Sequence, residues 1–200
     1  MISAYRADVG RCARHDKLHR AFPHLFLDNY GLQALLGYRL GRSLLRAHRR
    51  VYLWPLLPLG WALYLLLSRY AWVAFDIRLE LSADIGPGFY IGHFGAIRIR
   101  RCRIGSNCSI GRLTSITPAG QGPGPVIGDR VWIGAHARIV GAYRIGSNTT
   151  IAAGAEVRSD LLDRALCIGN PARVMMCRYD NRRILGIRED LPARQAGEAA

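Results

Sequence analysis

The sequence predicts a mainly β chain: a parallel β-helix preceded by an N-terminal α-helical segment. Two observations carry this. Between Ile85 and Val157 an aliphatic residue returns every six positions, most often followed by glycine. Upstream, leucines recur at helical spacing from Leu32 to Leu44. A period of six fits neither one helix nor one strand. It belongs to a solenoid in which each hexad supplies a short strand and a turn.

Residues 1–27 are basic and irregular, with helical potential but no clean pattern. Asp28-Asn29 offers a cap for the helix that follows. From Tyr30 onward the chain reads as an amphipathic helix. Leu32, Leu35, Leu36, Leu40 and Leu44 line one side, and Arg39, Arg42, Arg46, Arg49 and Arg50 take the other side and the end. Val51 to Ser68 carries no charge and is long enough to consider as a membrane segment. Pro55, Pro58 and Gly60 interrupt it, while Trp54, Trp61 and Trp72 give it interfacial character. Three readings stand. It is a helix buried against the base of the solenoid or in an oligomer interface, a peripheral membrane contact through residues 46–75, or a span.

The repeat falls at Ile85, Ile91 and Ile97, slips by one residue, and resumes at Ile104, Ile110 and Ile116. After a Gly/Pro-rich break it runs unbroken through Ile127, Ile133, Ile139, Ile145, Ile151 and Val157. Each of these side chains should point inward and stack on its equivalents above and below, because a one-residue slip would turn it outward. Isoleucine is β-branched and suits a packed strand. Twelve hexads make about four triangular coils, and rungs roughly 4.8 Å apart give a prism about 20 Å tall. Residues 77–84 lead in. Thr117–Pro125 is an irregular loop pushed out between hexads, a natural place for a binding site. Leu161–Arg173 closes the last coil, and 178–200 fray into a polar, basic tail. The chain therefore divides into 1–76 (helical), 77–175 (solenoid) and 176–200 (tail).

Twenty-eight basic against 14 acidic residues leave a net charge of +14, which favours anionic partners. Nucleic acid is not expected: no recognition module is visible and the arginines are spread along the chain. The cysteines number five, with no CxxC spacing and no cleavable leader. Reduced thiols and a cytoplasmic location, at most at the inner face of the membrane, are the expectation. Cys102 and Cys108 read as small apolar wall residues.

Three stretches carry a resemblance: Ile85-Gly-Pro-Gly-Phe-Tyr-Ile-Gly-His-Phe-Gly-Ala-Ile97, Val126-Ile-Gly-Asp-Arg-Val-Trp-Ile-Gly-Ala135, and Gly169-Asn-Pro-Ala-Arg-Val174. They resemble the hexapeptide-repeat acyltransferases, in particular serine acetyltransferases and their relatives in exopolysaccharide gene clusters. The Tyr30-Gly-Leu-Gln-Ala-Leu-Leu segment looks like the helical lead-in of the polysaccharide branch. The resemblance implies a left-handed parallel β-helix, a homotrimer or dimer of trimers, and acetyl-CoA bound in a groove between neighbouring prisms without a metal. It implies that His93 is the general base that takes the proton of an acceptor hydroxyl, a task suited to imidazole. Gly134, Ala135, Ala152 and Ala153 are small enough to let a pantetheine arm lie against the backbone. The resemblance also implies that Arg173 meets CoA phosphates.

The sequence also departs from the serine acetyltransferases. Their acidic residue before the base is Gly92 here, and Thr117–Pro125 lacks their histidine and the arginine before it. They orient the base with an Asp about fifteen residues upstream; counted back from His93 that slot is Arg78, with Asp76 and Glu80 two residues to either side. The ending at Ala200 also lacks the terminal Ile by which that enzyme docks its partner. These absences point to a sugar or glycan hydroxyl as acceptor, with Gly92, Arg98 and Arg100 on the acceptor side and serine as the alternative. A non-catalytic assembly protein is a third reading. His136 faces either the groove or solvent. Only His93 and His136 fall in the repeat, so a three-histidine zinc site is not expected.

Overall fold

The computed structural model describes residues 2–15, 26, 29–47, 57–92 and 95–186. His93, Asp28, Arg49, Arg50, Trp54, Pro55 and the tail from 187 lie outside these residues. Among the described residues α1 (Ile2–His15), α2 (Tyr30–Ala47) and α3 (Leu57–Phe75) precede a parallel β-helix. Its sheet A stacks β1 (Ile77–Leu79), β4 (Ile97–Ile99), β7 (Ser115–Thr117), β10 (Arg138–Val140) and β13 (Glu156–Val157). Sheet B stacks β2 (Asp84–Ile85), β5 (Arg103–Ile104), β8 (Val126–Ile127) and β11 (Arg144–Ile145), with Leu161 bridging to Ile145 above. Sheet C stacks β3 (Tyr90–Ile91), β6 (Ser109–Ile110), β9 (Trp132–Ile133), β12 (Thr150–Ile151) and β14 (Leu166–Ile168). Antiparallel β15 (Arg173–Met176) then pairs with β14.

The prism has about five turns, one more than the hexad count predicts. Residues 77–79 are the first side of the first coil, not a lead-in. Leu161 and Cys167 are two sides of the fifth coil, not its closure. Leu161 escapes the count because it follows Val157 by four residues rather than six. The register also corrects the assignment of Ile97. Ile97 stacks on Ile77, while Ile99 pairs with both Leu79 and Ile116. Sheet A thus has two inward columns, one running Leu79, Ile99, Ile116, Ile139, Val157 and the other Ile77, Ile97, Thr114, Ala137, Ala155. Thr114 is fully buried and satisfied: its hydroxyl lies 2.9 Å from the Gly111 carbonyl and 3.2 Å from that of Gly134.

The helices clasp the bottom of the prism. Asn29 caps α2 through its side-chain oxygen, 3.2 Å from Leu32 N–H. The two longer helices run antiparallel in close contact, with Gly37 against Leu67, Gly41 against Tyr64 and Gly60 against Leu44. A side chain at Gly41 would begin 2.7 Å from the Tyr64 ring, so glycine is what lets the axes approach. Helix α1 lies against α2 and sheet C with Asp8 and Arg11 buried. That is why no apolar pattern announced it: part of its inward face is ionic. Within the chain helix α3 packs one side on α2 and β1, buries only Leu57 and Ala71, and leaves a broad apolar side in the open. No helix among the described residues is long and apolar enough to cross a membrane.

The C-terminal stretch is more ordered than its composition suggests. Asn181 is buried and donates 2.8 Å to the Arg130 carbonyl, and Leu185 is buried beside α1. Cys12, Cys102, Cys108 and Cys167 are buried and outside any disulfide, whereas Cys177 is exposed. Burial pushes the Cys102 and Cys108 thiols up to about 12, so both sit in the wall as neutral groups.

Candidate functional site

The prism edge where sheet C turns into sheet A gathers most of the residues singled out by sequence. Gly92 N–H donates to Ile110 O (3.1 Å), Gly111 N–H to Ile133 O (2.8 Å), Gly134 N–H to Ile151 O (2.8 Å) and Ala152 N–H to Cys167 O (2.8 Å). These four residues therefore occupy one corner position on successive coils. The next position is marked by a second ladder: Leu113 to Gly95 O (2.9 Å), His136 to Arg112 O (2.9 Å) and Gly154 to Ala135 O (2.8 Å). Gly95 is accordingly the equivalent of Arg112 and Ala135. In the upper coils these two positions are adjacent in sequence. In the first coil His93 and Phe94 stand between them, so the corner carries two more residues than its equivalents.

The stack above is tight. A Cβ at Gly134 would meet Ala153 N at 2.5 Å, and one at Gly111 would meet Ala135 N at 2.6 Å. Gly134, Ala135, Ala152 and Ala153 therefore form a smooth ridge on the edge that starts at the His93 corner. Arg173 joins the top of that edge, because it pairs with Ile168, which follows Cys167 as Ala152 follows Ile151 one rung below. From Gly92 to Gly169 the edge climbs four rungs, about 19 Å.

The two acidic candidates are placed differently. Asp76 follows the last residue of α3 in the left-handed region (φ 50°), which a short polar side chain tolerates. Its carbonyl accepts from Ile97 N–H (3.1 Å), and Phe75 O accepts from Gly95 N–H (3.0 Å). Two backbone bonds thus tie the end of α3 to the Gly95 side of that corner. The Asp76 carboxylate lies 3.8 Å from Arg78 Nε. Glu80 is committed elsewhere: it pairs with Arg100 at 2.7 Å and accepts from the Ser82 hydroxyl at 2.9 Å. The helix-to-strand junction, visible only in three dimensions, is what separates the two.

Arg98 and Arg100 point outward on sheet A, as alternation requires. Arg98 belongs to an exposed column with Arg78 and Arg138, interrupted by Ser115. His136 is exposed on the candidate edge itself, at φ 62°. Among the described residues no group of three metal-ligating side chains occurs. The loop 118–125 lies across sheet A, on its opposite edge, where Arg101 donates to Gln121 O at 2.8 Å. It is not brought to the His93 corner of its own chain. A cavity of about 480 Å³ between α3 and β1, lined by Tyr38, Tyr64, Trp72, Arg78 and Glu80, is also separate from the edge.

Residues 124–159 match the family model described as bacterial transferase hexapeptide (six repeats). The serine acetyltransferase of Helicobacter pylori (strain ATCC 700392 / 26695) is 30% identical over 149 residues, 72% of this chain and 81% of that protein. The mitochondrial serine acetyltransferase 3 of Arabidopsis thaliana is 30% identical over 181 residues, 88% of this chain; the chain spans only 43% of that relative's length. Among solved structures, a serine acetyltransferase in complex with CoA superposes with a TM-score of 0.70 at 25% identity, covering 87% of this chain and 69% of that one.

Proposed function

The chain belongs to the hexapeptide-repeat acyltransferases of the serine acetyltransferase type, and on that premise we propose that it transfers the acetyl group of acetyl-CoA to the hydroxyl of serine. The observation that carries this reading is the match along 81% of a serine acetyltransferase at 30% identity. The edge that runs from the His93 corner to Arg173 supports it.

In this reading His93 takes the proton of the acceptor hydroxyl as its oxygen attacks the thioester carbonyl. A tetrahedral oxyanion forms, held by a backbone N–H at the edge. The C–S bond breaks, the imidazolium returns its proton to the departing thiolate, and the acetyl ester and free CoA are released. Asp76 positions His93, supported by the backbone bonds between its junction and Gly95 and Ile97. The ridge of Gly134, Ala135, Ala152 and Ala153 receives the pantetheine arm, and Arg173 the phosphates. Gly92 and Arg98 face the acceptor. Such an edge is shallow in one chain, so a neighbouring prism completes the groove, as in a trimer.

A second reading keeps a sugar hydroxyl as acceptor. It rests on Gly92, where an acidic residue would hold the serine ammonium, and on a loop 117–125 without histidine or arginine. Steady-state release of CoA separates the two. We expect turnover with L-serine and little with nucleotide sugars. Turnover confined to the sugars would overturn the serine assignment while keeping the acyltransferase. No CoA release with either, and no CoA-induced rise in thermal midpoint, would remove both.

A further inference from the structure

We propose that α3 docks the protein peripherally on an anionic bilayer surface, lying in the headgroup plane. The inference is independent of the acceptor. It begins with what α3 exposes: Leu59 (70%), Leu63 (47%), Leu66 (67%), Tyr70 (50%) and Val73 (79%), joined by Leu65 (56%). At 100° per residue these positions, with Pro58, Ala62 and Ala74, cover about half the circumference over about 24 Å. Within that face the one charged side chain is Arg69, whose guanidinium lies over the Trp72 ring at 4.4 Å. The opposite side of α3 is already used. Gly60, Tyr64 and Leu67 meet α2, and Ala71 joins the core beside the first coil. The open leucines are therefore not a helix awaiting its own core.

Charge decides what covers them. From Tyr30 to Phe75 the sequence contains no Asp or Glu and six arginines. Arg39 and Arg42 are spent on Asp8 and Asp84. Arg46 is exposed beside exposed Leu45, at the end of α2 that meets the start of α3 through Leu44 and Gly60. An apolar face flanked by arginine and free of acid fits a surface of anionic headgroups over acyl chains. It fits a second copy poorly: like charges would meet with no carboxylate between them, and the face is wider than a coiled-coil seam. It does not cross the bilayer, since its other side is held by α2 and β1. Because α3 ends at the Asp76 junction, the lower end of the candidate edge would sit beside the lipid.

The test is flotation of the full chain with vesicles of phosphatidylcholine alone and of equimolar phosphatidylcholine and phosphatidylglycerol, with light scattering of the lipid-free protein. Leu63→Glu/Leu66→Glu changes only exposed positions, and its melting curve reports that the fold is kept. We expect wild type to float with the anionic vesicles, less so in high salt, and the double variant to lose binding by roughly tenfold or more. The lipid-free mass should be the same for both. No flotation of wild type, or flotation indifferent to the double substitution, overturns the proposal. A lower mass for the variant without lipid binding assigns the face to a second copy and overturns it as well.

Discussion

Asp8 and Arg39 face each other at 3.1 Å with their side chains 0% and 9% exposed, and this pair joins the N-terminal helices to the prism. The guanidinium also donates to Ile85 O and Gly86 O at 2.6 Å each, and the carboxylate accepts from Phe89 N–H at 2.9 Å. Burial raises the Asp8 carboxyl while the guanidinium and the Phe89 amide pull it down. Removing one partner strands the other in a dry place. Asp8→Ala should cost about 3 kcal/mol or more, read from urea denaturation. Asp8→Leu/Arg39→Met should cost less than either single alanine variant, because no charge is left alone.

His93→Ala should lower kcat by at least about 10²-fold while far-UV circular dichroism, melting and oligomeric mass stay as in wild type. Asp76→Asn keeps a residue that accepts positive φ, so the junction should survive. If Asp76 positions the base, kcat falls with KM for acetyl-CoA unchanged; if the junction is merely structural, Asn behaves as wild type and Asp76→Val instead lowers the melting point.

Asp129 accepts from Ser106 N–H at 2.6 Å and from the Ser106 hydroxyl at 2.9 Å, which holds its carboxyl below the ordinary 3.8. A depressed value in the folded state means that the charged form favours folding. That contribution is present above 3.8 and is lost as pH falls through the lower folded value. Asp129→Asn retains an acceptor but not the charge. It should therefore be less stable near neutral pH by about 0.5 kcal/mol, modest because the carboxylate is largely exposed, with the gap closing in acid. Paired melts across pH check this.

Thiol accessibility offers a simple measure of the core. In the native protein Cys177 should react quickly with a thiol reagent, and Cys12, Cys102, Cys108 and Cys167 only after unfolding, since all four are buried. A second fast thiol at Cys102, Cys108 or Cys167 would mean that a wall of the prism is open, and one at Cys12 that α1 has lifted from α2.

The solenoid was legible because its signal is redundant: Ile127, Ile133, Ile139, Ile145, Ile151 and Val157 repeat one constraint six times. It failed where the chain departs from six. Leu161 belongs to the columns but follows Val157 by four residues, which hides it; Leu79 is in phase, six before Ile85, yet no glycine follows it to mark a hexad. The slip near Ile97 has two parts, Gly92 and Gly95 taking positions that are adjacent in sequence in the coils above, then a shortened turn before Ile104, which a count along the sequence compresses into one residue. Helix α1 was hidden because Asp8 and Arg11 replace leucines on its inward side. Of the site, the small residues at 134, 135, 152 and 153 were readable as a corner. That the Asp76 junction rather than Glu80 adjoins it was not, since both lie two residues from the expected slot and only the backbone bonds to Gly95 and Ile97, with the Arg100 pairing of Glu80, tell them apart.

The reversal of β15 has a further consequence. A stack of parallel rungs presents at its last strand the same hydrogen-bonding groups that built every rung before it, so an uncovered terminus would accept a strand from another molecule. By folding back on β14, residues 173–176 end that sequence of templates, and α3 lying over β1 does the same below. Deleting either should turn a discrete particle into one that polymerises end to end, forming filaments whose axis continues that of the prism.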